Sequence, residues 1–437
     1  MKDEDVIAAA WSSGLKHFND EPKIAAALSV CRGDLLPRFA LWYSALRELP
    51  RGARRALARR LLHCRRVKDL LPPGARGRTL RRLARSVAAA ALLFAVAQAG
   101  EAATITVTTN APGVDDSDGN CSLAEAIVNA NDDAPTHPDC AAGSGPDTIV
   151  LSKGTHALTA AFSDYAGATG LPVIASDITI AGNRAKIARS KKAPALRLMA
   201  VADSGKLTLN EVLLSGGSAD IGGAILNYGS LEINDSTISG NTATKGGAIY
   251  SRRSTAQVVI HDSGITKNQA AVGGAIFSYQ YLLIIDGTLS GNTASSEGGA
   301  IANYDGYLRL EHSTISKNRA ARAAAGIDNV YGTAKIFNSV ITGNTAMYGG
   351  GIENYGKGSA VGKLYIYDTM LAKNGAAVYA GGVANIDGYF KLADSTVTGN
   401  KANDRGGGVF NNAGATFVAS NSTIAKNKAP NGADVYP

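Results

Sequence analysis

Gly222-Gly223-Ala224-Ile225, Gly246-Gly247-Ala248-Ile249, Gly273-Gly274-Ala275-Ile276 and Gly298-Gly299-Ala300-Ile301 are four copies of one phrase. Looser copies follow: Ala325-Gly326-Ile327, Gly350-Gly351-Ile352, Gly381-Gly382-Val383 and Gly407-Gly408-Val409. A second phrase, an aliphatic residue followed three positions later by Asn, ends at Asn241, Asn268, Asn292, Asn318, Asn344, Asn374, Asn400 and Asn427. The steps between these asparagines are 27, 24, 26, 26, 30, 26 and 27 residues. A third is a short alternating run such as Leu231-Glu232-Ile233, Leu308-Arg309-Leu310 or Leu364-Tyr365-Ile366.

A period in the twenties means a solenoid. Each unit holds period-two aliphatics divided by Gly, Asn, Ser and Asp, which is strand and turn chemistry. The dense leucine pattern of a leucine-rich repeat is absent. The expectation is an all-β, right-handed parallel β-helix over 151–437, with three strands and about 25–27 residues per coil. Ile225, Leu231, Ile233 and Ile238 point inward and stack on their counterparts one coil away. About nine or ten coils spaced by ~4.8 Å make a rod about 45 Å long. The Asn column ends strands where αL geometry and amide ladders are useful. The column Asp235, Asp262, Asp286, His312, Asn338, Asp368, Asp394, Asn421 reads as Asx-type turn residues. Its His and Asn members dilute a calcium ladder.

Upstream, composition changes sharply. Residues before Gly100 carry 19 Lys and Arg against 8 Asp and Glu; from Gly100 onward the counts are 25 and 28. The net charge of +8 therefore belongs to the first quarter. The large part is excluded as a nucleic-acid binder on charge grounds. Arg81, Arg82 and Arg85, the apolar run Val87–Ala97 and then Ala97-Gln98-Ala99 describe a secretory signal peptide over 81–99. The run is too short to span a bilayer, and the adjacent Arg81 and Arg82 hint at twin-arginine export. Residues 1–80 form a basic leader of short helices. It is either a start assigned too far upstream, with Val67 as one alternative, or a genuine extension.

Of the four cysteines, Cys31 and Cys64 lie in the leader, and Cys121 and Cys140 remain after export. An even pair in an oxidising compartment reads as a disulfide. A metal site would need more ligands, and His137 is the candidate nearby. Ser122 and Glu125 have capping-box spacing, so a helix runs to about Asn131 and caps the first coil within 100–150. Asp116-Ser117-Asp118-Gly119-Asn120 lacks the Gly and Glu of a calcium loop and reads as a polar turn.

Cys121 to Ile127, with the Thr-rich strand before it, resembles the Cys-Ser-Leu-Arg-Glu-Ala domain of exported bacterial proteins. Ala124 stands where that motif has Arg. The repeats are similar to those of the polymorphic outer membrane proteins, which combine Gly-Gly-Ala-Ile with Phe-x-x-Asn; here the Phe position is aliphatic. The resemblance covers roughly Ala102–Pro437. It implies export, a right-handed parallel β-helix and a secreted or cell-surface location, and it does not imply an activity.

No cofactor motif, metal cluster, nucleophile elbow or phosphate loop appears. The residue after the repeat aliphatic is Leu226, Tyr250, Phe277, Ala302, Asp328, Glu353, Ala384 and Phe410 in turn. Asp328 and Glu353 thus occupy one position in adjacent coils, about one coil spacing of ~5 Å apart. Retaining glycosidases hold two carboxyls about 5–5.5 Å apart, so this pair is the catalytic candidate. Tyr228, Tyr250, Tyr279, Tyr304 and Tyr355 recur near one corner and are the ligand-binding candidates. Gly356–Gly362 and the basic Ser251–Ala256 are loop insertions of the kind that collect on functional faces. The favoured reading is a non-catalytic binding or adhesion module for an extracellular glycan or surface protein. The alternative is a polysaccharide lyase or glycoside hydrolase using Asp328 and Glu353. Partners exclude nucleic acid, no transmembrane anchor is read in this chain, and nothing specifies the oligomeric state.

Overall fold

The structure is a computed structural model and describes residues 102–437. The leader expected over 1–80 and the signal peptide expected over 81–99 lie outside the described residues. From there the chain winds as a parallel β-solenoid of about ten turns. One coil shows the plan. Ser230–Asn234 enters sheet 1, Thr237–Ser239 sheet 2, Thr242–Lys245 sheet 3 and Ile249–Ser251 sheet 4. Gln257–His261 then lies beside Ser230–Asn234, residue for residue, and starts the next coil. The four sheets hold 12, 11, 8 and 10 strands. Pairing is parallel throughout them; a small hairpin, Ser163–Asp164 with Ala168–Thr169, is antiparallel.

The expectation of three strands per coil misses sheet 3. Its strands are two to five residues long, as in Arg319–Ala320 and Thr293–Glu297. Their buried positions are alanines, such as Ala294 and Ala320, which pack with one another apart from the main core. Alanine leaves no aliphatic alternation to read.

The other inward files are as expected. Leu231, Ile233, Ile238 and Ile249 are 0–1% exposed. Ile225 pairs with Ile249, Ile249 with Ile276 and Ile276 with Ile301. Each such side chain contributes up to about 3 kcal/mol by burial.

The asparagine file is buried and forms a ladder. Backbone N and Nδ2 of Asn241 both donate to Oδ1 of Asn268, at 3.0 and 2.9 Å. The pattern repeats through Asn400 onto Asn427 and ends on Asp434. The left-handed residue at this corner is the one before each Asn, as in Gly240 and Lys267, and not the Asn itself. The Asp/Asn/His corner between sheets 1 and 2 is left-handed at every member, with φ of 46–53°. The residue three before each repeat aliphatic supplies another such turn, φ 63° at both Gly246 and Ala380, while a Cβ on Gly247 would lie 2.3 Å from the Gly274 carbonyl oxygen.

At the N-terminal end, helix α1 (Leu123–Asp132) covers the first coils, contacting the strands Asp147–Val150 and Asp177–Ala181. Ser122 and Glu125 form the expected capping box, and Cys121 and Cys140 form the expected disulfide. Thr104–Thr106 adds to sheet 1 as its first strand, parallel to Asp147–Val150. No helix among the described residues is long and apolar enough to cross a membrane.

Candidate functional site

Side chains of sheet 4 alternate, so Ile327 and Asn329 point inward and Asp328 and Val330 outward. The inward asparagines build a second amide ladder. Nδ2 of Asn303, Asn329, Asn354 and Asn385 donates in turn to the next Oδ1 at 2.7–2.8 Å. This ladder holds sheet 4 in strict register. It was visible in the sequence as an Asn two residues beyond the repeat aliphatic, except after Ile249 and Ile276, where Ser251 and Ser278 stand.

Two outward files follow. The first runs Ala200, Leu226, Tyr250, Phe277, Ala302, Asp328, Glu353, Ala384, Phe410 and Tyr436. Aromatic and aliphatic side chains fill both ends. The middle holds the two acids, bracketed by the small Ala302 and Ala384. Asp328 and Glu353 are register partners in adjacent strands, as expected. Asp328 is 1% exposed. Its Oδ2 and the Oε2 of Glu353 are buried without a hydrogen-bond partner among the described residues.

Burial first, and then the Glu353 charge, push the Asp328 carboxyl well above the usual carboxylate range. Burial pushes Glu353 up to about 7, against the pull of Arg322. Around them, Tyr304 donates its hydroxyl proton to Oε2 of Glu297 at 2.6 Å, and Arg322 pairs with Glu297. Burial, then Asp328, raises the Tyr304 phenol, and burial, then Glu353, raises Tyr379 to about 12. Ala324 adopts φ 51° where neighbouring coils have Gly. Such a non-glycine left-handed residue costs about 1–2 kcal/mol. A pair of carboxyls that cannot both ionise keeps a proton at neutral pH. It can donate that proton to a group that enters the site.

The structure gathers four of the five candidate tyrosines into the second outward file. Tyr228, Tyr279, Tyr304 and Tyr355 share one place in their coils, while Tyr250 sits in the first file. They do not form an open stack. Tyr250 is buried against Phe277, rings 5.4 Å apart. Tyr279 and Tyr304 are half-buried and meet edge to face at 6.2 Å. These rings pack as a second apolar layer outside sheet 4. Arg252 and Arg253 of the basic insertion lie over Tyr279 and Tyr228.

A second surface was missed. The outward face of sheet 1 carries Tyr281, Tyr307, Arg309, Lys335, Phe337, Lys363, Tyr365, Tyr367, Tyr389 and Lys391, all partly or fully exposed. Rings stack from coil to coil: Tyr281 on Tyr307 at 5.7 Å and 2°, Phe337 on Tyr367 at 5.2 Å and 9°. Cations lie over the rings: Arg309 over Phe337, Lys335 over both Tyr307 and Tyr365, Lys391 over Tyr367. Earlier coils of the same face are polar, as at Ser230, Glu232 and Asn234. The signal was present between and beside the aliphatics of each alternating run. Those positions attract attention only once their face is known to be continuous.

Fold and surfaces together define the class: a parallel β-solenoid with a buried Asp beside a half-buried Glu on one outer face and an aromatic, cationic lattice on another. Residues 235–252 and 286–304 match the model of the Chlamydia polymorphic membrane protein repeat. The matched residues lie in the coils and do not include Cys121–Ile127. No curated protein and no solved structure matches the chain.

Proposed function

We propose that this chain is a binding module displayed outside the cell, which holds an extended partner along the outward face of sheet 1. The observation that carries this reading is the lattice from Tyr281 to Lys391. Tyr and Arg are the residues that protein interfaces concentrate. Here they occupy a flat, rigid face at fixed spacing, so little ordering entropy is lost on contact. The match to repeats of a membrane protein family, the disulfide and the signal-peptide pattern support display at the cell surface in an adhesive role.

The test is binding of the full chain to a glycan and surface-protein array. Wild type and the Tyr307→Ala/Tyr365→Ala variant are compared after both are shown to fold by circular dichroism. Retained ligands in the wild type that are lost in the variant support the reading. Identical profiles overturn it.

A second reading rests on a separate observation, the two unbonded carboxyl oxygens of Asp328 and Glu353. Asp328 would act as acid and Glu353 as nucleophile or base in polysaccharide cleavage. New reducing ends that vanish in Asp328→Asn would favour it. Their absence with every polymer the protein binds would remove it.

A further inference from the structure

We infer that the molecule held along sheet 1 is a polyanionic sugar chain, lying parallel to the solenoid axis with its acidic groups over the file Arg309, Lys335, Lys391. This inference rests on the reading of sheet 1 as a binding face. Arg309 and Lys335 are register partners in adjacent coils. Lys391 follows in the same file one coil beyond Tyr365, and Lys363 stands beside it. Adjacent coils are about 4.8 Å apart, and like charges directly opposite destabilise a sheet. Glu311 meets Arg309. Among the described residues, Lys335, Lys363 and Lys391 form no salt bridge.

The patch is positive within a body whose residues 100–437 carry 25 bases against 28 acids. It is therefore a local feature of the face. A polymer that repeats a negative charge along its length would neutralise the file and meet rings on either side. The lattice also selects sugars over bases. Stacked rings such as Phe337 and Tyr367 cover each other's faces, and lysine ammonium groups occupy others. Flat bases need an open aromatic face, whereas a sugar acid needs charge and a ring edge.

The test uses the full chain and two polymers with one backbone, polygalacturonate and its fully methyl-esterified form, with oligothymidylate as a third probe. The expected result is binding to polygalacturonate that weakens as salt is raised, with little binding to the ester. Lys335→Gln/Lys391→Gln should keep the wild-type melting temperature and bind about ten-fold more weakly, the size of two partly desolvated ion pairs. Equal, salt-insensitive affinity for acid and ester overturns the inference while leaving the binding face intact. Tighter binding of oligothymidylate overturns it in favour of nucleic acid. Unchanged binding in Tyr307→Ala/Tyr365→Ala overturns the face reading itself. No binding to polygalacturonate at low salt overturns the inference.

Discussion

Replacing Glu353 by Gln should stabilise the solenoid at neutral pH and flatten its pH dependence. In the native coil the Glu353 carboxyl holds its proton up to about 7, against an ordinary value of 4.5. Between those limits the folded chain binds more protons than the unfolded one, so stability falls as pH rises through that window and levels off above it. A rise of that size is worth about 3 kcal/mol. Glutamine fills the same space and does not titrate. Wild type and variant should therefore agree below pH 4.5 and differ by about 3 kcal/mol above pH 7, the variant being the more stable. Asp328→Asn removes the other raised carboxyl, which burial and then the Glu353 charge push up, so it should weaken the pH dependence in the same direction. Solenoids often unfold coil by coil. The assay is therefore amide hydrogen exchange at Ile327 and Ile352, compared between proteins at each pH, which reads local opening. Parallel pH profiles in wild type and Glu353→Gln would refute the reasoning, as would a Gln variant less stable at neutral pH.

Asn318→Ala removes the oxygen that accepts both the backbone N and Nδ2 of Asn292; two buried donors lose their partner, and a loss of about 3 kcal/mol should appear in urea unfolding. Gly247→Ala drives a Cβ to 2.3 Å from the Gly274 carbonyl oxygen, and backbone cannot yield as a side chain can, so at least ~2 kcal/mol should be lost by the same measurement. Reducing Cys121–Cys140, which are 19 residues apart, should cost the cap about 3 kcal/mol and expose 102–150 to protease before the coils. Tyr365→Ala on the outer face should leave the melting temperature nearly unchanged, because surface substitutions are usually within ±0.5 kcal/mol, while weakening ligand retention on the array.

The coils were legible because two files obey hard constraints. Inward aliphatics must repeat for adjacent coils to share one core, and the Gly pairs and asparagines must repeat where backbone approaches backbone. Sheet 3 was not legible because its buried residues, Ala294, Ala320 and Ala346, pack only with one another and are too small to mark alternation. The acid pair was found because register alone places Asp328 beside Glu353. Its burial was not, because that depends on Glu297, Arg322 and Tyr304 arriving from other parts of the coil. The sheet 1 lattice escaped for a related reason: an outward residue obeys no packing rule that repeats, so its neighbours one coil away become visible only in three dimensions.

In-register stacking gives a way to tell which outward charges matter. Any charge repeated coil after coil faces its like at about 4.8 Å, costing about 1 kcal/mol in water and more as solvent is excluded. At the corner before the buried asparagines this cost is avoided. Lys267, Lys317, Lys373 and Lys426 alternate with Gly240, Gly291, Gly343 and Gly399, so each lysine is two coils from the next. The acidic row at Asp235, Asp262 and Asp286 is continuous, and Lys401 faces Lys428, but all of these stand in water, the acids at left-handed turns that favour Asp and Asn. Arg309 with Lys335 breaks the avoidance on a half-buried sheet face, and Asp328 with Glu353 breaks it where solvent is excluded. Neither adjacency is required by turn geometry or by the core. A fold that can separate like charges by inserting glycine has left these two pairs together. Glu311 offsets Arg309 and Arg322 partly offsets Glu353, which leaves Lys335 to be met by an anion from outside and the acid pair to be relieved by holding a proton. If charge-neutral variants of both pairs proved more stable and lost no binding or chemistry, that argument would fail at both sites.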